Sequence, residues 1–158
     1  MDQKKITTVI LDGGANEIIL EGNKACLKKD GLDSGCGAHI ARVTGDLSGF
    51  VDTLIQQGVT RIVYSGYYHL KHTYRDYNAA VVDLNASIQA LIEARNAQEK
   101  IEIVFVDQRE TFEGDDCQKL PDCPEDEDCY DHYLSGDKLH PSPYGSEKLA
   151  DNIFNVLK

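Results

Sequence analysis

An α/β domain built on parallel strands is the fold class this sequence predicts, and two patterns carry the prediction. Short apolar runs bounded by polar residues or glycine alternate with longer stretches whose apolar residues recur every three or four positions. In chain order they run strand, helix, strand, helix, strand, helix, the alternation that parallel strands joined by right-handed crossovers produce. A length of 158 residues and an apolar share of 41% suit one domain with a modest core. No internal repeat is evident.

The strands are expected at Ile6–Leu11, Arg61–Ser65 and Ile101–Val106. The first helix is expected over Gly49–Gln57, with Asp46 or Ser48 capping its first turn ahead of Phe50, Leu54 and Ile55. The second spans Tyr77–Gln98 and sets Val81, Leu84, Ile88 and Leu91 on one face. The third runs from Pro143 to Leu157, turning Leu149, Ile153 and Val156 or Leu157 inward; Ser142 caps it and Pro143 takes its first position. Two long loops remain, Glu21–Thr44 and Asp107–Asp137, and loops of that length are commonly functional or disordered.

Sixteen basic against 27 acidic residues give a formal charge of −11, which repels phosphate backbones and anionic lipid headgroups. Nucleic acid is therefore not an expected partner. No apolar stretch approaches the roughly 20 residues needed to span a bilayer, and Met1–Lys5 leads into a strand without a signal-peptide core. The five cysteines point elsewhere. Cys26 and Cys36 flank a Gly-rich polar loop, and Cys117, Cys123 and Cys129 are six apart in another, with no Cys-x-x-Cys of a zinc or redox site. Disulfides that staple loops are the expected use, which predicts a secreted or periplasmic location; reduced cytosolic thiols are the alternative. The acidic run Pro124–Asp128 lacks the ligand spacing and turn glycine of an EF-hand loop and reads as a solvated face. No metal or cofactor is expected.

Two short runs bear chemistry. Asp137-Lys138-Leu139-His140-Pro141 sets an imidazole three residues after a carboxylate, and the proline biases His140 toward extended backbone. Folded back, Asp137 can accept the Nδ1 proton and leave Nε2 to act on a nucleophile. Leu11-Asp12-Gly13-Gly14-Ala15-Asn16-Glu17 follows the first strand, at the end where parallel sheets bind ligands. Its glycines permit a sharp turn and close approach, and Asn16 can aim its amide into the crevice as an oxyanion donor. A third group, Tyr64, Tyr67, Tyr68, His69, His72, Tyr74 and Tyr77, follows the middle strand. Of these, Tyr67, Tyr68 and His69 are the candidate substrate contacts at a pocket rim.

In this order and with this ending, the runs resemble the SGNH, or GDSL-type, hydrolase family from Ile6 to Leu157. Gly14-Ala15-Asn16-Glu17 is similar to the family's Gly-x-Asn-Asp block, with Glu17 in place of Asp, and Asp137-x-x-His140 is similar to its last block. The resemblance implies a three-layer α/β/α, flavodoxin-like fold and an esterase or lipase-like hydrolase of small acyl or acetyl esters. Asp137 and His140 would be its acid and base, and Asn16 its oxyanion donor.

The departure is upstream. The family's Gly-Asp-Ser nucleophile block and second oxyanion glycine precede the Asn block, and here only about a dozen residues do. The chain thus reads as the second part of such a domain, its parallel sheet truncated at the N-terminal strands. An open sheet edge of that kind predicts either a homo-oligomer or a piece of a longer or two-part protein whose other, N-terminal segment lies across that edge and brings the serine. Gly45-Asp46-Leu47-Ser48 has the letters of the nucleophile block but no strand before it, and Ser65 ends a strand without a visible nucleophile elbow. Two alternatives stand beside the enzyme. One is a non-catalytic binding domain on the same scaffold. The other is a flavodoxin-like domain whose Gly-Gly turn receives phosphate, which the negative charge and the lack of an anion-binding loop disfavour.

Overall fold

The structure is a computed structural model describing residues 5–21, 23–27, 34–70, 72–98, 101–112, 133–137 and 139–158. Three parallel strands, β1 (Thr8–Leu11), β2 (Arg61–Ser65) and β3 (Glu102–Val106), form a sheet of order β1-β2-β3. Thr8 lies opposite Arg61 and Leu11 opposite Tyr64, while Arg61 pairs with Glu102 and Ser65 with Val106. Among the described residues four α-helices accompany it: α1 (Asn23–Cys26), α2 (Ser34–Gln56), α3 (Asn78–Gln98) and α4 (Pro143–Leu157). The mixed α/β class and the parallel sheet agree with the sequence expectation, and β1 and β3 are shorter than expected by two residues and one.

The largest correction concerns α2. It begins at Ser34, fifteen residues before the expected start, and takes up much of the presumed loop Glu21–Thr44. Asp46 and Ser48 therefore lie inside the helix and cannot cap it. The glycines of this stretch argue locally for a loop, each costing up to about 1 kcal/mol in a helix. Packing outweighs them: Cys36, Ile40, Val43 and Val51 are buried at helical spacing, and each buried aliphatic side chain contributes about 1.5–3 kcal/mol. A Cys26–Cys36 disulfide ties the start of α2 to α1. Closing this ten-residue separation restrains the unfolded chain by roughly 2–3 kcal/mol. Cys117, Cys123, Cys129 and the acidic run lie outside the described residues.

Helix α3 starts at Asn78, after a 3₁₀ segment His72–Tyr77. It buries Val81, Leu84 and Ile88 as expected, but Ile92 rather than Leu91 completes the face. Over this length the true 3.6-residue repeat carries the stripe past Leu91. Helices α2 and α3 share one core with Ile62, Tyr64 and Ile103 of the sheet. Val63 and Val106, on alternate strand positions, are buried outside that cluster, and α4 packs against β3. Helix α4 has the expected bounds, with Ser142 Oγ accepting the Gly145 N–H at 3.1 Å as its cap.

The two sheet edges differ. Asn96 of α3 covers the outer edge of β3 at Ile103, its side chain bonding both Ile103 N–H (2.8 Å) and Ile103 C=O (2.7 Å). Strand β1 has no comparable cover among the described residues: Ile10 is 49% exposed although it stands opposite Val63 at 0%. No described helix is long and apolar enough to cross a membrane.

Candidate functional site

At the C-terminal end of β1 the chain turns through Gly13 and Gly14. Gly14 has φ +107°, and a Cβ there would stand 2.7 Å from Val43 Cγ1, so both its conformation and its closeness to α2 call for glycine. Helical geometry then begins at Ala15, Ile18 N–H reaching Gly14 C=O at 3.3 Å, and continues as a π-helical turn Glu17–Glu21. Ile18 and Ile19 are buried and anchor this turn, which leaves the Asn16 side chain exposed.

The second arm is the segment Tyr133–Ser142, folded back on itself. Leu134 pairs antiparallel with Pro141, Ser135 N–H bonds His140 C=O, and Ser142 N–H bonds Tyr133 C=O, both at 2.8 Å. Asp137 sits at its tip. Its Oδ1 accepts from Ser135 Oγ (2.6 Å) and from the N–H groups of Leu139 and His140 (3.0 Å each), while Oδ2 meets His140 Nδ1 at 2.5 Å. The His140 ring bond above all, with these donors, holds the Asp137 carboxyl well below the usual carboxylate range. With Nδ1 engaged, Nε2 is the nitrogen left to exchange a proton. The imidazole is 69% exposed.

Between the arms lies a cavity of about 370 Å³, lined from the first arm by Asp12 to Glu17, from the second by Leu139, His140 and Pro141, and from the segment after β2 by Ser65 to Tyr68. Asn16 and His140 thus share one pocket, with Asp137 behind the imidazole. Tyr67 and Tyr68 line it as well. His69 is not among the lining residues: its N–H donates to Arg109 C=O at 3.2 Å, and its ring stands near Asp107, whose carboxyl the paired Arg109 guanidinium holds low. Ser65 lines the pocket at 9% exposure, its Oγ accepting a weak bond from Gln108 Nε2 at 3.4 Å. Ser48 is engaged in α2, accepting from Arg95 at 2.6 Å. No three of His, Cys, Asp and Glu converge among the described residues as metal ligands would.

The tyrosines do more than line a rim. Tyr64 Oη donates to Gly13 C=O at 2.5 Å, and Tyr68 Oη donates to Leu139 C=O at 2.6 Å. Tyr67 Oη accepts from Ala15 N–H at 3.1 Å. Three ring hydroxyls from one short segment therefore clamp both arms. Burial pushes the Tyr64 and Tyr68 phenols far up, and burial with the charges of Asp12 and Glu17 pushes Tyr67 up to about 12. The supports that sequence reasoning passed over are Asn85, Gln108, Ser135 and Gly145. Asn85, buried in α3, accepts from Tyr67 N–H (3.0 Å) and donates to Tyr67 C=O (2.9 Å). An asparagine at an apolar-face position of the α3 repeat was the one available signal.

No protein-family model matches the chain, and no curated protein matches it either.

Proposed function

We propose that this chain supplies the acid/base pair and one oxyanion donor of an SGNH-type carboxylic ester hydrolase, esterase or lipase-like, on a three-layer flavodoxin-like scaffold. The observation that carries the reading is the 2.5 Å Asp137–His140 contact on a pocket that Asn16 also lines. In this reading His140 Nε2 takes the proton of a serine hydroxyl as that oxygen bonds the acyl carbon. Asp137 holds the ring and stabilises its cation, and Asn16 Nδ2 donates to the tetrahedral oxyanion. His140 then returns the proton to the departing alcohol, and water repeats the cycle on the acyl-enzyme. The substrate is a small acyl or acetyl ester, and the Cys26–Cys36 pair favours an oxidising, secreted or periplasmic setting.

The serine of this scheme comes on a separate strand laid along the outer edge of β1. What supports that placement is the contrast between the edges, β3 covered by Asn96 and β1 open with Ile10 half exposed. Self-association of the chain through the same edge is the competing occupant. A second reading, a non-catalytic binding domain, is favoured by one observation: no hydroxyl bonds the His140 ring among the described residues.

The test is a fusion that places an apolar strand ending in Gly-Asp-Ser ahead of residue 5, assayed with 4-nitrophenyl acetate and a fluorophosphonate probe. The fusion is expected to gain esterase activity and labelling at the added serine, while the chain alone stays unlabelled. Asn16→Ala in the fusion is expected to lose on the order of 100- to 1,000-fold in kcat, and His140→Ala to abolish activity. Strong labelling of Ser65 in the chain alone, or a fusion indifferent to His140→Ala, overturns the scheme.

A further inference from the structure

The pocket carries information on its ligand that the acid/base pair does not use. Its charged lining is one-sided: Asp12 and Glu17 face it, no lysine or arginine does, and His140 is its single basic group among the described residues. Its floor is apolar, built from Ile19, Leu70, Val81, Leu139 and Leu149. The volume lies within the roughly 300–1,000 Å³ of small-molecule sites.

One polar group in this wall is left with capacity to spare. The Tyr64 and Tyr68 hydroxyl protons are used on Gly13 and Leu139 carbonyls. Tyr67 Oη instead accepts, from Ala15 N–H, and its own proton has no acceptor among the described residues. The phenol, like any tyrosine protonated at neutral pH, is held more firmly in that form because burial and the two carboxylates raise it to about 12. Its backbone is fixed on both sides by Asn85, so the donor is held in place before any ligand arrives.

We infer that the pocket selects an uncharged organic ligand, whose carbonyl or hydroxyl oxygen accepts from Tyr67 Oη while its apolar part covers the floor, and that Asp12 and Glu17 turn anions away. A carboxylate product would then leave more readily than its neutral ester binds. The choice of an ester as ligand rests on the hydrolase reading; the requirement for an uncharged ligand with an acceptor oxygen does not.

The test uses methyl butanoate and the butanoate anion as probes of the whole chain, followed by ¹⁵N–¹H spectra at the Ala15 amide, with binding constants from the titrations. Methyl butanoate is expected to shift Ala15 and to bind at least tenfold more tightly than butanoate. Tyr67→Phe is expected to weaken the ester by about five- to tenfold, the loss of one hydrogen bond. Asp12→Asn with Glu17→Gln, which leaves Tyr67 in place, is expected to bring butanoate up to the ester's affinity. These constants are read without turnover, so the site can stand even if the fusion carrying the added serine shows no hydrolysis. Equal affinities for ester and anion in the parent chain, an anion still rejected by the double variant, or no Ala15 shift with methyl butanoate overturns the inference.

Discussion

One methyl group at Gly145 tests how the Asp137–His140 arm is held. Gly145 lies in the first turn of α4, where an added Cβ would stand 2.1 Å from Tyr133 O and 3.3 Å from Phe112 Cζ. That is 0.9 Å inside the 3.0 Å that Cβ contacts respect, and the obstruction is backbone, which cannot rotate away. Relieving it moves Tyr133 off the helix and breaks its carbonyl's bond to Ser142 N–H. Overpacking of this kind costs about 1–3 kcal/mol and the hydrogen bond about 1 kcal/mol. Alanine's better helix propensity returns about 1 kcal/mol. Gly145→Ala should therefore lose about 1–3 kcal/mol in urea denaturation, and the His140 ring signals should shift with the displaced arm. Gly45→Ala is the matched control, because a Cβ at this exposed position in α2 meets nothing within 4 Å. It should gain about 0.5–1 kcal/mol. The same substitution thus changes sign between two helices. A Gly145→Ala protein as stable as the parent would refute the claim that α4 and the Tyr133–Ser142 arm touch backbone to side-chain position here.

Asn85→Ala leaves both Tyr67 N–H and Tyr67 C=O without their buried partner. The expected loss is about 2–4 kcal/mol by urea denaturation, and a loss under 0.5 kcal/mol would show that water replaces the amide freely. The Asp137 carboxyl is lowered in the folded chain, so its contribution is present above the unfolded value of about 3.9 and is lost as pH falls through the lower folded value. The Asp137 Cγ resonance should accordingly titrate well below pH ~3.9, with the Ser135, Leu139 and His140 contacts released only in that acid range; a midpoint at or above the ordinary value would count against the geometry of this turn.

Much of the architecture was legible because its signals are local. The apolar run of β2 and the cap-and-proline start of α4 each fix an element with a few neighbouring residues, and both bounds agree with the structure. Helix α2 was misread because Gly35 and Gly37 look like loop residues, while the opposing signal, Cys36, Ile40, Val43, Leu47 and Val51 at helical spacing, counts only if a partner surface exists. That surface is α3 and the sheet, which no local window contains. The Asp137–His140 pair was readable since three residues separate its members. That Asn16 lines the same pocket was not readable from spacing, because 123 residues lie between Asn16 and His140 and only the sheet brings their arms to one mouth.

The link between those arms is the segment just after β2, and it explains why they are coupled. Tyr64 and Tyr67 reach the Gly13–Ala15 turn, Tyr68 reaches Leu139, and all three rings hang from one strand end whose backbone β1 and β3 hold on either side. Tyr68 also leans on Phe112, and Phe112 stacks on Tyr133 at the root of the second arm, with ring centres 4.6 and 5.1 Å apart. The backbone beside Asn16 and the backbone beside His140 are therefore both tied to one strand end, which gives the two side chains a common support. Such common mounting is what a site needs if two groups far apart in sequence are to act on one bound molecule, since a misplacement on the order of 1 Å costs about 100-fold in rate. The sequence shows this segment as a tyrosine-rich run without a pattern; its physical content is that each hydroxyl secures a different backbone group, and each ring fills the space beneath it.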